Sequence, residues 1–225
     1  MVSASGGRRF TGAAMLPAAG TALLAVAGSV AEATAAAAAG AAFIDLGPAD
    51  QAGPAAITAL RASHPGLLIC AASEQADLVL DQATALRTGA ILICDGLARA
   101  ERAVAGAGLP RGQLLVETDP GGVSRARAAG FAVLVDLRDG PAAAAAPGAA
   151  ATGAAATGAA ATGAAATGAA AAGAPPGALA VAAICAWLGA TMVRTSHPAQ
   201  VRRALDMADT IRGGRPPART VRGLA

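Results

Sequence analysis

At 225 residues, 55% hydrophobic and 14% charged, the chain is long enough to bury a core and too apolar to be a disordered segment. Its net charge of +3 is spread along the sequence and only 2% of residues are aromatic, which argues against a nucleic-acid-binding surface. All seventeen Lys+Arg residues are Arg, and neither Lys nor Asn occurs anywhere, so chemistry that needs a Lys side chain or an Asn amide is excluded.

The amino terminus, "GGRRFTGAAMLPAAGTALLAVAGSVAEA", admits two readings. One is an export signal, with Arg8 and Arg9 before an apolar stretch and cleavage near residues 31–35. The preferred one is a disordered segment 1–9, a strand over residues 10–16 and an Ala-rich helix reaching residue 39. The stretch is too short, and too broken by Gly20 and Gly28, to span a membrane.

Short apolar runs follow in series: "AAFIDLGP", "GLLICAAS", "AILICDGL", "QLLVETDP", "FAVLVDLRDG" and "ATMVRTSHP". Runs without alternation fit strands buried on both faces, hence a parallel sheet. Helical segments separate them, among them "SEQADLVLDQATALRTG", "LARAERAVAGAG" and "ALAVAAICAWLG". This alternation predicts an α/β fold, a barrel or a doubly wound sheet. Residues 141–177, mostly "AAATG" repeats, read as a flexible low-complexity insertion, because a Gly in every unit works against helix and no unit carries a hydrophobic face. Residues 214–225 form a tail.

Polar residues stand at the carboxyl end of nearly every strand: Asp45, Ser73, Asp95, Glu117 with Asp119, Asp136, and Arg194. In either architecture that end builds the ligand site. Arg194 and Arg138 are candidates for binding phosphate, which Arg contacts bidentately. Cys70, Cys94 and Cys185 lack metal-ligand spacing and read as small buried residues of a reducing, cytoplasmic compartment. His64 and His197 each precede a Pro and read as turn residues.

The ending "MVRTSHPAQVRRALDMADTIRGGRPPARTVRGLA" resembles the last strand, last helix and tail of dihydropteroate synthases, particularly actinobacterial paralogues. Looser similarity runs through "AAAAAGAAFIDLGP" (second strand), "LRASHPGLLICAAS" (third), "LRTGAILICDG" (fourth), "GLPRGQLLVETDPGG" (the strand before Asp-Pro-Gly) and "FAVLVDLRDG" (the strand ending in Ser-Arg-Lys). The resemblance implies a TIM barrel spanning residues 10–140 and 178–213, and the joining of a dihydropterin diphosphate to 4-aminobenzoate with Mg²⁺ on the diphosphate. It places Asp45, Asp95, Asp119, Arg138 and Arg194 in a vestigial pterin and phosphate pocket.

The departures bear on the reaction. Ala72 stands at the third strand's Asp, Cys94 at the fourth strand's Asn, Asp139 near the seventh strand's Lys, and Ser196 at the last strand's His. The first-strand motif with its Mg²⁺-ligating Asn is replaced by "MLPAAG", so no metal or other cofactor is expected. About seven strands can be identified, which predicts an incomplete barrel with an open seam. The expectation is a non-catalytic synthase-like protein that binds a pterin, a second copy or an active synthase, away from membranes and nucleic acid. The alternatives are an active dihydropteroate synthase and an exported Ala-rich protein.

Overall fold

The computed structural model describes residues 16–17, 20–47, 53–138 and 174–214. Eight parallel strands close a barrel in chain order: β1 (Ala22–Val26), β2 (Phe43–Asp45), β3 (Leu68–Cys70), β4 (Leu78–Val79), β5 (Ile91–Asp95), β6 (Leu114–Thr118), β7 (Ala132–Asp136) and β8 (Met192–Thr195). Closure is made by β1 pairing with β8, Leu24 opposite Arg194. The helices are α1 (Val30–Ala38), α2 (Pro54–Ser63), α3 (Gln82–Thr88), α4 (Leu97–Ala107), α5 (Val123–Ala128), α6 (Pro176–Leu188) and α7 (Pro198–Ile211).

The TIM-barrel expectation holds, and the strand count is corrected from about seven to eight, with no open seam. The eighth strand is β4, two residues long, inside a segment whose composition reads as continuous helix. Leu78 and Val79 are fully buried, and β4 satisfies its backbone on both sides, pairing Cys70 with Leu78 and Leu78 with Ile91. Helix begins only after Asp81, whose carboxylate accepts the Thr84 N–H at 2.7 Å. The fourth-strand assignment of Cys94 and Asp95 is corrected with it, since both lie on β5.

The first strand is also displaced. It is Ala22–Val26, inside the stretch read as Ala-rich helix, while residues 10–15 of the expected strand lie outside the described residues. The helix starts at Val30, capped by Ser29, whose hydroxyl accepts the Glu32 N–H. The segments 1–9 and 141–173 and the tail beyond Gly214 lie outside the described residues.

Side chains alternate along each strand between the barrel lumen and the helix layer. Leu24, Phe43, Cys70, Leu78, Ile91, Ile93, Leu115, Leu134 and Met192 fill the lumen as one cluster. Leu23, Ile44, Ile69, Val79, Leu92, Val116, Val133 and Val193 face outward into a second cluster with the helices. That outer layer is lined by Ala33, Ala36, Ala85, Ala100, Ala103, Ala126 and Ala182, small residues that let thin helices sit close to the strands. Cys70, Cys94 and Cys185 are buried and free, as their spacing implied. His64 caps the end of α2 and His197 precedes α7. Among the described residues no helix is long and apolar enough to cross a membrane.

Candidate functional site

The alternation that fills the lumen also places its charged layer. Five strands carry the same pattern near their carboxyl ends, an inward apolar residue, an outward one, then a charge in the inward phase: Phe43-Ile44-Asp45, Ile93-Cys94-Asp95, Leu115-Val116-Glu117, Leu134-Val135-Asp136 and Met192-Val193-Arg194. Two residues along a strand return to the same face, so all five fall in the lumen phase at its carboxyl end, and Asp45, Glu117, Asp136 and Arg194 come together there.

Arg194 is the centre. Its side chain is 4% exposed, and three carboxylates converge on it. Nη1 donates to Glu117 Oε2 at 3.3 Å and to Asp136 Oδ2 at 3.2 Å. Nε lies 3.2 Å from Asp45 Oδ2, a charge contact too poorly aligned to be a hydrogen bond. The other Asp45 oxygen accepts the Gly47 N–H at 2.9 Å, which turns the chain sharply after β2 at a glycine with φ of +73°. Arg138 folds back on Asp136, with Nη2 2.6 Å from Oδ2 and Nε donating to both carboxylate oxygens.

The electrostatics follow from this crowding. Burial works to raise the pKa of Asp136, but hydrogen bonds and charge from Arg138, with help from Arg194, outweigh it and hold the carboxyl below its ordinary range. Glu117 moves the other way: burial raises it, with Asp136 and Asp95 adding repulsion that Arg194 and Arg138 do not fully offset. Burial opposes the charge on Arg194, yet Asp45, Glu117 and Asp136 together raise its pKa. Below this layer, burial and then the charge of Asp45 push the Cys70 thiol up to about 12, against the pull of Arg194.

The expected site residues divide accordingly. Asp45, Arg138 and Arg194 meet in one network. Asp95 ends β5 beside Glu117 in register, but it is exposed and makes no contact with Arg194. Asp119 lies apart; its carboxylate accepts the Gly122 N–H at 2.8 Å and caps a single 3₁₀ turn at Pro120–Gly122. Glu117 and Asp136 are full members of the network although only their strand-end positions marked them in the sequence. Their signal was the shared two-residue phase with Asp45 and Arg194.

The Mg²⁺ that the resemblance implies does not fit these donors. The chain has no Asn, and the carboxylates of the layer already converge on a guanidinium held where a cation would neutralise them. Among the described residues no three His, Cys, Asp or Glu groups are arranged to hold a metal.

No family model matches the chain. Over 49 residues it is 53% identical to the inactive dihydropteroate synthase 2 of Mycobacterium tuberculosis (strain ATCC 25618 / H37Rv), a match covering 22% of this chain and 15% of that protein. The corresponding protein of Mycobacterium leprae is 49% identical over 49 residues, 22% of this chain and 17% of its own length. The match thus spans less than a fifth of these curated relatives. In three dimensions the barrel resembles Mycobacterium tuberculosis Rv1207, with a TM-score of 0.65 at 23% identity over 90% of this chain and 96% of that one. Dihydropteroate synthase of Yersinia pestis gives a TM-score of 0.61 at 16% identity, over 87% and 94%. The barrel has the fold of the dihydropteroate synthases, and a stretch of 49 residues is similar to proteins named inactive dihydropteroate synthase 2.

Proposed function

We propose that this chain is a non-catalytic, cytoplasmic dihydropteroate synthase-like protein that acts by binding. The observation that carries the reading is the state of Arg194. Stabilising a departing diphosphate requires positive groups aimed at the developing charge and otherwise uncommitted. Here the buried cation of the barrel mouth faces three carboxylates, and the chain has no Lys to replace it.

Support for a binding role comes from large apolar groups exposed on the last two helices. Ile184, Trp187 and Leu188 of α6 and Met207 and Ile211 of α7 are exposed, on helices joined by Arg212 donating to the Ala186 carbonyl at 2.6 Å. Exposed apolar groups of this size on neighbouring helices fit a protein partner, a second copy of this chain or an active synthase. Export is the weaker reading, because cleavage at residues 31–35 would remove β1 and with it the pairing to both β2 and β8.

The test combines two assays. Purified protein given a dihydropterin diphosphate, 4-aminobenzoate and Mg²⁺ is expected to give no turnover, and turnover would establish the active-transferase reading instead. Sedimentation of the protein alone and mixed with the host's active synthase is expected to show association that Trp187→Glu abolishes.

A further inference from the structure

The layer around Arg194 does more than lack a free cation. A guanidinium grips an oxyanion through two N–H groups on one edge. Nη1 of Arg194 is shared by Glu117 and Asp136, and Nε faces Asp45. The Nη1 edge is thus taken by two carboxylates, while the Nε edge makes no hydrogen bond but lies against the charge of Asp45 3.2 Å away. Around it stand Asp45, Glu117 and Asp136, with Asp95 beside Glu117, against only Arg194 and Arg138 among the described residues. An arriving oxyanion would have to displace a carboxylate from Nη1 or crowd against Asp45 at Nε, with the remaining carboxylates beside it in either case.

We propose that Glu117 and Asp136 form an internal lock on Arg194, which closes the barrel mouth to phosphate-class anions and leaves an oxyanion site that opens when their charge is removed. The two residues suit this role because both bear on one nitrogen, so neutralising them removes both negative charges from the Nη edge at once. Asp136 also holds Arg138 through three side-chain hydrogen bonds. Neutralising it therefore makes a second guanidinium available a strand away. Asp45 is the structural partner: it also fixes the turn at Gly47 and stays in place. The proposal deepens the non-catalytic reading and rests on it for the identity of the ligand end.

The probe is inorganic pyrophosphate, titrated calorimetrically into the full chain and into Glu117→Gln/Asp136→Asn, with folding of each checked by circular dichroism. Two fewer negative charges within contact distance of the anion should tighten binding at least about a hundredfold. The wild type is expected to show no saturable binding at millimolar pyrophosphate, and adding Arg194→Met to the double variant should remove the gain. Equal binding by the wild type and the folded double variant, or a gain that survives Arg194→Met, overturns the lock. Should the double variant not fold, Glu117→Gln alone decides, since its amide keeps an acceptor for Nη1: a gain of about tenfold supports the lock and no gain overturns it. Turnover by the wild type would refute the non-catalytic reading independently of these affinities.

Discussion

Replacing Arg194 with Met would leave Asp45, Glu117 and Asp136 crowded at the lumen without their shared cation. Stranding a partly buried charge typically costs about 3–5 kcal/mol, so Arg194→Met should lower the urea midpoint by a corresponding amount or prevent folding. The pH dependence separates two of these carboxylates. The folded pKa of Glu117 lies above its unfolded value, so its contribution is fully present below the unfolded pKa and is lost as pH rises through the folded one. Asp136 is depressed, so its contribution is present above the unfolded pKa and lost as pH falls through the folded one. Glu117→Gln should therefore melt at or above the wild-type temperature at pH 7 and lose that advantage on acidification, while Asp136→Asn should melt lower at pH 7 and approach the wild type in acid. Melting curves between pH 3 and pH 8, set to straddle the ordinary carboxylate range, would check both signs. Arg194 was legible as a residue that must be paired, because an Arg in an apolar strand needs a partner. The identity of its partners was not legible, because they come from β2, β6 and β7 and meet only when the sheet closes.

At the scale of elements, the readable signals were short unbroken apolar runs, and they located β2, β3, β5, β6, β7 and β8. The two misplaced strands are those in which local preference and tertiary context disagree. "ALLAV" is good helix by propensity, but it sits between Gly20 and Gly28 and is completely enclosed by β2 and β8. A short-range cue did exist: Ser29 and Glu32 stand at capping-box spacing, with the Ser29 hydroxyl accepting the Glu32 N–H and Glu32 Oε2 accepting the Gly28 N–H. Ser29→Ala should cost about 1 kcal/mol of stability, read from denaturant unfolding, since α1 is short and mostly Ala. β4 offered no comparable cue, because two residues are too few for any period to show.

For the molecule as a whole, β4 is where the closed sheet is thinnest. It meets β3 through one residue pair, Cys70 with Leu78. The rest of that joint is borne by Asp77, whose N–H donates to the Ile69 carbonyl at 2.8 Å, whose carboxylate accepts the Ile69 N–H at 2.9 Å, and which is held by Arg61 at 3.0 Å. Opening a sheet locally breaks the fewest hydrogen bonds here, so subglobal fluctuations should begin at this joint. Cys70, 2% exposed and with its thiol pKa pushed up to about 12, is silent towards alkylating reagents until that happens. In a time course with iodoacetamide, Cys70 should be labelled ahead of Cys94 and Cys185, and Asp77→Ala should accelerate Cys70 alone; simultaneous labelling of all three would mean that the ring breathes only by global unfolding. A buried thiol beside a two-residue strand thus gives the barrel a built-in clock for the opening of its own wall.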